Sequence, residues 1–159
     1  DTLYANMYDP YEALSPGMKK MLEPIRTFNV GDGNKRSAKY GNRENRYKGA
    51  SAKPKAPPKG VKTNSQHPLV RTHPETGRKA LYIGVHTQEL VGFSGEEGNF
   101  LIDMLRTHCT KEEVIARFNW QKNSIAIWDN RCLQHYAVSD YPGKRRRMHR
   151  ITIKGDKPR

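Results

Sequence analysis

The residues with the clearest capacity for chemistry are one histidine and two arginines in the C-terminal third of the chain. His135 follows an apolar run at 125–128 that ends in polar residues. Arg146 and Arg150 are four residues apart, so in an extended strand both side chains share one face, about 13 Å from each other. Each guanidinium is then able to bind a separate carboxylate or sulfonate. A basic edge strand that resists aggregation is the equally open alternative.

The other histidines are better explained by structure than by catalysis. His73-Pro74-Glu75 spells the His-x-Glu of an iron site, but the proline and glycine at 73–77 predict a solvent-exposed hairpin turn. His108 lies on the apolar face of a predicted helix and should be a packed residue. His67 precedes a proline, which indicates a turn, and His149 alternates with Arg150 and so faces away from it.

Positive charge is concentrated in one segment. The chain has 159 residues and a net charge of +13. Residues 30–63 contain ten basic and two acidic residues among many Gly, Pro, Ser and Asn. This composition buries little apolar area and predicts a flexible insertion or a lid. A solvated segment explains it better than a nucleic-acid site does, so we expect no nucleic-acid partner.

Predicted elements alternate between short helices and short strands. Residues 8–24 are predicted to form two helical pieces, with Asp9 and Ser15 as N-caps before prolines. Ser94 and Glu97 form a capping-box pattern before a helix, and Thr110 begins a second, shorter one. The predicted apolar face of the first of these helices is Phe100, Leu101, Met104, Leu105 and His108. Strands are predicted at 26–30, at 68–72 and 79–83 as a hairpin, and at 116–120, 125–129 and 147–154.

The expected fold is mainly β, with peripheral helices, in a jelly-roll-like arrangement. No apolar run approaches the ~18 residues that a membrane span requires, and no secretory leader opens the chain. The two cysteines, Cys109 and Cys132, do not suffice for a disulfide framework. We therefore expect free thiols, a cytoplasmic location and no membrane partner, and a homo-oligomer is possible.

Several segments, taken in order, resemble the taurine dioxygenase / 2,4-dichlorophenoxyacetate dioxygenase family. The strongest matches are 67–82, with His-Pro-Leu-Val-Arg-Thr-His-Pro-Glu-Thr-Gly-Arg, and 128–137, with Trp-Asp-Asn-Arg-Cys-Leu-Gln-His-Tyr-Ala. Residues 140–141, 146–150 and the opening 1–8 also match. The resemblance implies a double-stranded β-helix core and a dioxygenase that depends on Fe(II) and 2-oxoglutarate.

The resemblance also implies roles for five residues. His135 matches the distal histidine of the iron site, and Thr2 and Arg146 match the pair that holds the far carboxylate of 2-oxoglutarate. Arg150 matches an arginine that binds the substrate anion, and His86 is a candidate substrate contact, although a loop role for it stays open. The implied partners are dioxygen and a small organic anion: a sulfonate, an alkyl sulfate or an aryloxyalkanoate.

One departure from the family pattern concerns the iron site. The family's proximal His-x-Asp would precede Asp1, so residues 1–159 correspond to the C-terminal portion of one oxygenase domain. We expect this portion alone to bind iron poorly and to be inactive. The alternative is a non-catalytic protein of degenerate oxygenase fold that binds a polyanion through 30–63, and such binding would weaken steeply with salt.

Overall fold

The computed structural model of the protein describes residues 1–32 and 60–155. Within these ranges the helices are α1 (Tyr8–Glu12), α2 (Pro16–Leu22), α3 (Gly95–Cys109) and a 3₁₀ helix (Glu112–Val114). The strands are β1 (Thr2–Asn6), β2 (Arg26–Val30), β3 (Asn64–Pro68), β4 (Val70–Thr72), β5 (Lys79–Leu81), β6 (Thr87–Leu90), β7 (Ile115–Phe118) and β8 (Leu133–Ala137). The described part is therefore strand-rich with few helices, as the sequence predicts.

The strands form small antiparallel sheets. One sheet has the order β7-β1-β8, a second has the order β3-β2-β6, and β4 pairs with β5 as the predicted hairpin. Strands β3, β6 and β8 lie outside the predicted set. His67, expected in a turn, lies in β3, and its Nε2 is 2.8 Å from Ser65 Oγ.

Helix starts follow the capping chemistry at two of the four predicted sites. Ser15 Oγ accepts the N–H of Met18 at 3.2 Å, with Pro16 at the first helical position. Ser94 and Glu97 form both bonds of a capping box. Asp9 is not an N-cap, because α1 already begins at Tyr8 and its cap position is Met7.

Thr110 does not begin a capping box as predicted. Its hydroxyl donates to the Arg106 carbonyl oxygen at 2.9 Å, so it closes α3, and Lys111 occupies the cap position of the 3₁₀ helix.

The core lies between α3, the hairpin and the first two helices. On α3 the buried residues are Gly98, Leu101, Ile102, Leu105 and Cys109. Phe100, predicted on this face, is 75% exposed, because the buried stripe is centred on Leu101 and Leu105. Burial raises the pKa of the Cys109 thiol to about 12, so this thiol stays protonated and acts as an apolar packing group.

Two predicted strands are wrong. Residues 125–129 and 147–154 have no strand structure, and Ile125 and Ile127 are 83% and 94% exposed. Both stretches have β-branched residues at alternate positions, which favours an extended backbone. A strand also needs a paired neighbour, and within the described ranges none lies beside them.

The basic segment connects two paired strands. Val30 lies opposite Asn64, and Gly31 donates its N–H to the Thr63 carbonyl oxygen at 2.6 Å. The segment 30–63 therefore connects β2 to β3 at one end of this strand pair. The flexibility and the lid role predicted for it concern mainly 33–59, which lie outside the described residues. Among the described helices, none is long and apolar enough to cross a bilayer.

Candidate functional site

Strand β1 is central in its sheet and determines which side chains share a face. Thr2 lies opposite Phe118 of β7 and Ala137 of β8, and Tyr4 lies opposite His135. Residues directly opposite each other in an antiparallel ladder project to the same side, as do residues two apart along a strand. One face of the sheet therefore carries Thr2, Tyr4 and His135. Thr2 lies two residues from Tyr4 along β1, so it is displaced by about 7 Å along the strand from the Tyr4–His135 pair.

Thr2 contacts two nitrogen donors from other parts of the chain. The Nε1–H of Trp120 donates to Thr2 Oγ1 at 2.8 Å, and Arg146 Nη2 donates to the same oxygen at 3.5 Å. Thr2 is only 5% exposed. The guanidinium of Arg146 also lies over the ring of Tyr141, 5.2 Å from its centroid. The structure thus brings together Thr2 and Arg146, 144 residues apart in sequence.

His135 lies in an aromatic cluster on the same face. Its ring centroid is 5.1 Å from that of Trp128 and 6.5 Å from that of Tyr4, and Tyr4 and Trp128 are 5.3 Å apart. Burial raises the pKa of the Tyr4 hydroxyl, so this group is neutral at physiological pH. These rings restrict the imidazole on one side, while His135 itself is exposed.

The described residues fit only part of an iron site. His135 is one ligand of the three that the resemblance implies, and it belongs to no group of three metal-binding side chains in the described ranges. A single imidazole holds a labile divalent metal weakly. Within the described ranges, His135 is the one predicted ligand that would hold the metal.

One cluster has the composition of a metal site, but hydrogen bonds already engage both ring nitrogens of its histidine. The potential ligand atoms of His73, Asp129 and Cys132 lie within 4.8 Å of one another. The backbone N–H groups of Glu75 and Thr76 donate to His73 Nδ1 at 3.3 and 3.2 Å, so Nε2 carries the proton and donates to Asp129 Oδ2 at 3.1 Å. To bind a metal, Nε2 would have to give up its proton. The proton could not move to Nδ1, because Nδ1 already accepts from two N–H donors. The cluster therefore latches the β4–β5 turn to the loop before β8.

The turn assignment of His73 holds, but its predicted exposure to solvent is wrong. The side chain is only 5% exposed, because Tyr8 packs against its ring and Asp129 covers Nε2. His108, predicted to be structural, has its Nε2 2.8 Å from the Pro10 carbonyl oxygen.

Asp129, which bonds His73, is also linked through Arg131 to Glu75 in the same turn. The Arg131 guanidinium donates to both Asp129 Oδ1 and Asp129 Oδ2, and also to Glu75 Oε1 at 2.7 Å. These bonds, mainly those from Arg131 with a smaller contribution from His73, hold the pKa of Asp129 well below its usual range. The loop that leads into β8 is therefore fixed by charge-assisted bonds six residues before His135.

The remaining predicted site residues, Arg150 and His86, lie at the surface. Among the described residues no hydrogen bond or ion pair joins Arg150 to the Thr2–Arg146 pair. His149, predicted to lie outside the site, is also exposed. His86 is exposed in the turn before β6, where its carbonyl oxygen accepts the Val30 N–H at 2.8 Å. The substrate roles of Arg150 and His86 stay predictions.

Sequence reasoning missed Trp120 as a partner of Thr2. Its alternation with Phe118 in the predicted strand was the available signal, because two residues at that spacing share a face. Their rings pack edge to face at 4.9 Å. Tyr4 and Trp128 were missed as neighbours of His135, because nothing in the sequence gives the register of β1 against β8.

Comparison with known proteins identifies close relatives. The family model "Taurine catabolism dioxygenase TauD, TfdA family" matches residues 1–152. An alpha-ketoglutarate-dependent sulfate ester dioxygenase of Pseudomonas putida is 30% identical over 168 residues, covering 99% of this chain and 51% of that protein. An alkylsulfatase of Acinetobacter baylyi is 43% identical over 96 residues, covering 60% of this chain and 30% of that protein.

A solved structure is also similar. A taurine dioxygenase from Burkholderia xenovorans superposes with a TM-score of 0.64 at 28% identity, covering 84% of this chain and 39% of that one. The chain thus spans about half, or less, of the length of the relatives that it matches.

Proposed function

Because the chain belongs to the taurine catabolism dioxygenase TauD/TfdA family, we propose that it is the C-terminal portion of an Fe(II)- and 2-oxoglutarate-dependent dioxygenase. The observation that carries the proposal is the shared face of the β7-β1-β8 sheet. His135 and the Thr2–Arg146 pair lie on it, separated by a step comparable with the length of an extended five-carbon diacid. We further propose that the β7-β1-β8 sheet is part of a jelly-roll core, as in the oxygenases that the chain resembles.

In this proposal each residue has a distinct task. The Arg146 guanidinium binds the far carboxylate of 2-oxoglutarate, and Thr2 donates its hydroxyl hydrogen to the same group. The 2-oxo acid end then points along β1 toward His135, which supplies a neutral imidazole to iron. Bound Fe(II) would supply the open coordination positions at which the 2-oxo acid and dioxygen meet.

We propose a sulfate ester or sulfonate of a small alkyl group as the substrate class. The names of two relatives, an alkylsulfatase and a sulfate ester dioxygenase, support this choice, and Arg150 is the candidate for binding the sulfuryl oxygens. One oxygen atom of dioxygen enters the substrate and the other enters succinate, with loss of carbon dioxide from 2-oxoglutarate. Hydroxylation at the carbon that bears a sulfate ester releases inorganic sulfate and an aldehyde.

The decisive experiment measures stoichiometry in the full-length protein. With Fe(II), 2-oxoglutarate and a medium-chain alkyl sulfate, we expect sulfate and succinate in equal amounts. An alkanesulfonate and an aryloxyacetate are tested in parallel to identify the branch of the family. Absence of succinate with every organic anion, together with salt-sensitive binding to a polyanion such as heparin, would overturn the proposal in favour of a non-catalytic binding protein.

A further inference from the structure

The hydroxyl oxygen of Thr2 accepts hydrogen bonds from two nitrogen atoms. Trp120 Nε1 is 2.8 Å away and Arg146 Nη2 is 3.5 Å away. The indole N–H and the guanidinium are donors only, so Thr2 Oγ1 accepts from both. A hydroxyl has two lone pairs and one hydrogen. With both lone pairs engaged, the hydrogen remains for a third group, which has to be an acceptor.

Trp120 is held firmly enough to impose this arrangement. It follows β7, and its ring packs edge to face on Phe118, which lies opposite Thr2 in the ladder. Thr2 is fixed in the central strand of the sheet and is 5% exposed. A β-branched side chain in a strand has few rotamers, so the oxygen stays within reach of the indole.

We propose that Trp120 is a positioning residue that orients the Thr2 hydroxyl as a donor to the far carboxylate, and so favours 2-oxo diacids over 2-oxo monoacids as cosubstrate. The inference rests on the proposed function and extends it to a residue without a predicted role. Trp120 acts through Thr2 and does not itself touch the cosubstrate. Its contribution therefore depends on two things: a threonine hydroxyl at position 2 and a carboxylate at the far end of the ligand.

The test compares two ligands that differ only at that end. The full-length protein, loaded with Fe(II) without oxygen, is titrated calorimetrically with 2-oxoglutarate and with 2-oxopentanoate, which carries a methyl group in place of the far carboxylate. For Trp120→Phe we expect a three- to tenfold weaker Kd for 2-oxoglutarate, the effect of about one hydrogen bond, and an unchanged Kd for 2-oxopentanoate. The second ligand also reports whether the variant is folded.

A second variant and a double-mutant cycle make the test specific. In Trp120→His the Cδ2–Nε2 edge of the imidazole overlays the Cδ1–Nε1 edge of the indole, so we expect part of the 2-oxoglutarate affinity to return. In a Thr2→Val background, Trp120→Phe should cause no further loss, because the hydroxyl that it orients is gone.

Distinct outcomes overturn the inference and the proposed function. The inference fails if Trp120→Phe leaves the 2-oxoglutarate Kd unchanged, weakens both ligands equally, or adds its full effect to that of Thr2→Val. In each of these cases Arg146→Ala and Thr2→Val still discriminate between the ligands. If those two variants also bind both ligands as the unmodified protein does, the proposed cosubstrate site itself is wrong.

Discussion

Arg146 is half-buried between Thr2 and the ring of Tyr141, so it meets a bound carboxylate with its geometry already restricted. Replacing it by Ala should raise the KM for 2-oxoglutarate by two to three orders of magnitude, because a charge-assisted, forked contact worth about 2–5 kcal/mol is lost. Arg146→Lys should recover only part of this, since an ammonium is a point charge without the planar fork. Steady-state kinetics at saturating substrate measure both variants, and an unchanged KM in Arg146→Ala contradicts the assignment.

Iron content tests the assignment of His135 as a metal ligand. His135→Ala in the full-length protein should abolish iron binding and turnover, because two remaining ligands hold a labile divalent ion weakly. His149→Ala removes an exposed imidazole and His73→Ala removes one whose Nε2 bonds Asp129, so both should keep a near-normal iron content. Metal analysis of the three purified variants decides this. Iron retained in His135→Ala, or lost from a folded His73→Ala, would contradict the site.

Asp129 should make stability depend on pH in the acid range. Because Arg131 and His73 hold its folded-state pKa below its unfolded-state value, the carboxylate stabilises the fold above about pH 4. That stabilisation is lost as the pH falls from the unfolded-state pKa toward the folded-state one. Asp129→Asn should therefore lower the free energy of unfolding at pH 7 by on the order of 1–3 kcal/mol.

Denaturant titrations between pH 7 and pH 3 test this dependence. The difference in the free energy of unfolding between the two proteins should narrow steadily below about pH 4. A difference that stays constant over the whole range would show that the Asp129 charge does not stabilise the fold.

At the level of elements, two similar sequence patterns have different structural outcomes. Ser94 accepts the N–H of Glu97 at 3.3 Å at the start of α3, whereas the Thr110 hydroxyl donates to carbonyl oxygens of the preceding turn. Ser94→Ala should therefore lower the free energy of unfolding by about 1 kcal/mol. Thr110→Ala is the matched control and should change it by less than about 0.5 kcal/mol. Equal losses in thermal or denaturant unfolding would mean that the capping bond at Ser94 contributes nothing.

Local signals in the sequence predict elements well where the stabilising contacts are themselves local. Proline at the first helical position and the Ser94–Glu97 box fix the starts of α2 and α3, and the turn at 73–78 fixes the β4–β5 hairpin. Strands fail where the partner is distant. β8 pairs with β1, more than 120 residues away, so its existence depends on a register that no local pattern contains.

The candidate site shows the same division. The residues that form it could be predicted because the sequence resembles a family whose site residues have known roles. The structure brings two of them, Thr2 and Arg146, together. The contacts of Trp120 with Thr2, and of Tyr4 and Trp128 with His135, follow from how three strands and a loop align. Those alignments are tertiary, so they become visible only in the folded chain.

At the scale of the whole molecule, two stretches without strand structure leave isoleucines exposed. Ile125, Ile127, Ile151 and Ile153 are 83%, 94%, 92% and 91% exposed. Within each pair the residues are two apart, so in an extended backbone they line one face. Exposed apolar side chains favour association between chains, and within the described ranges no strand pairs with either stretch.

This exposure predicts that replacing the isoleucines weakens self-association of residues 1–159 expressed alone but leaves their stability unchanged. Ile127→Thr combined with Ile151→Thr should reduce self-association, seen as a smaller apparent size in sedimentation at a fixed concentration, without lowering the midpoint of thermal unfolding. Ile102→Thr is the matched control: Ile102 is fully buried in α3, so the same exchange there should cost several kcal/mol and lower the midpoint by many degrees. A large fall in the midpoint for the double variant would show that these isoleucines are buried in the folded chain, and unchanged association would show that the exposed stretches do not mediate contacts between copies.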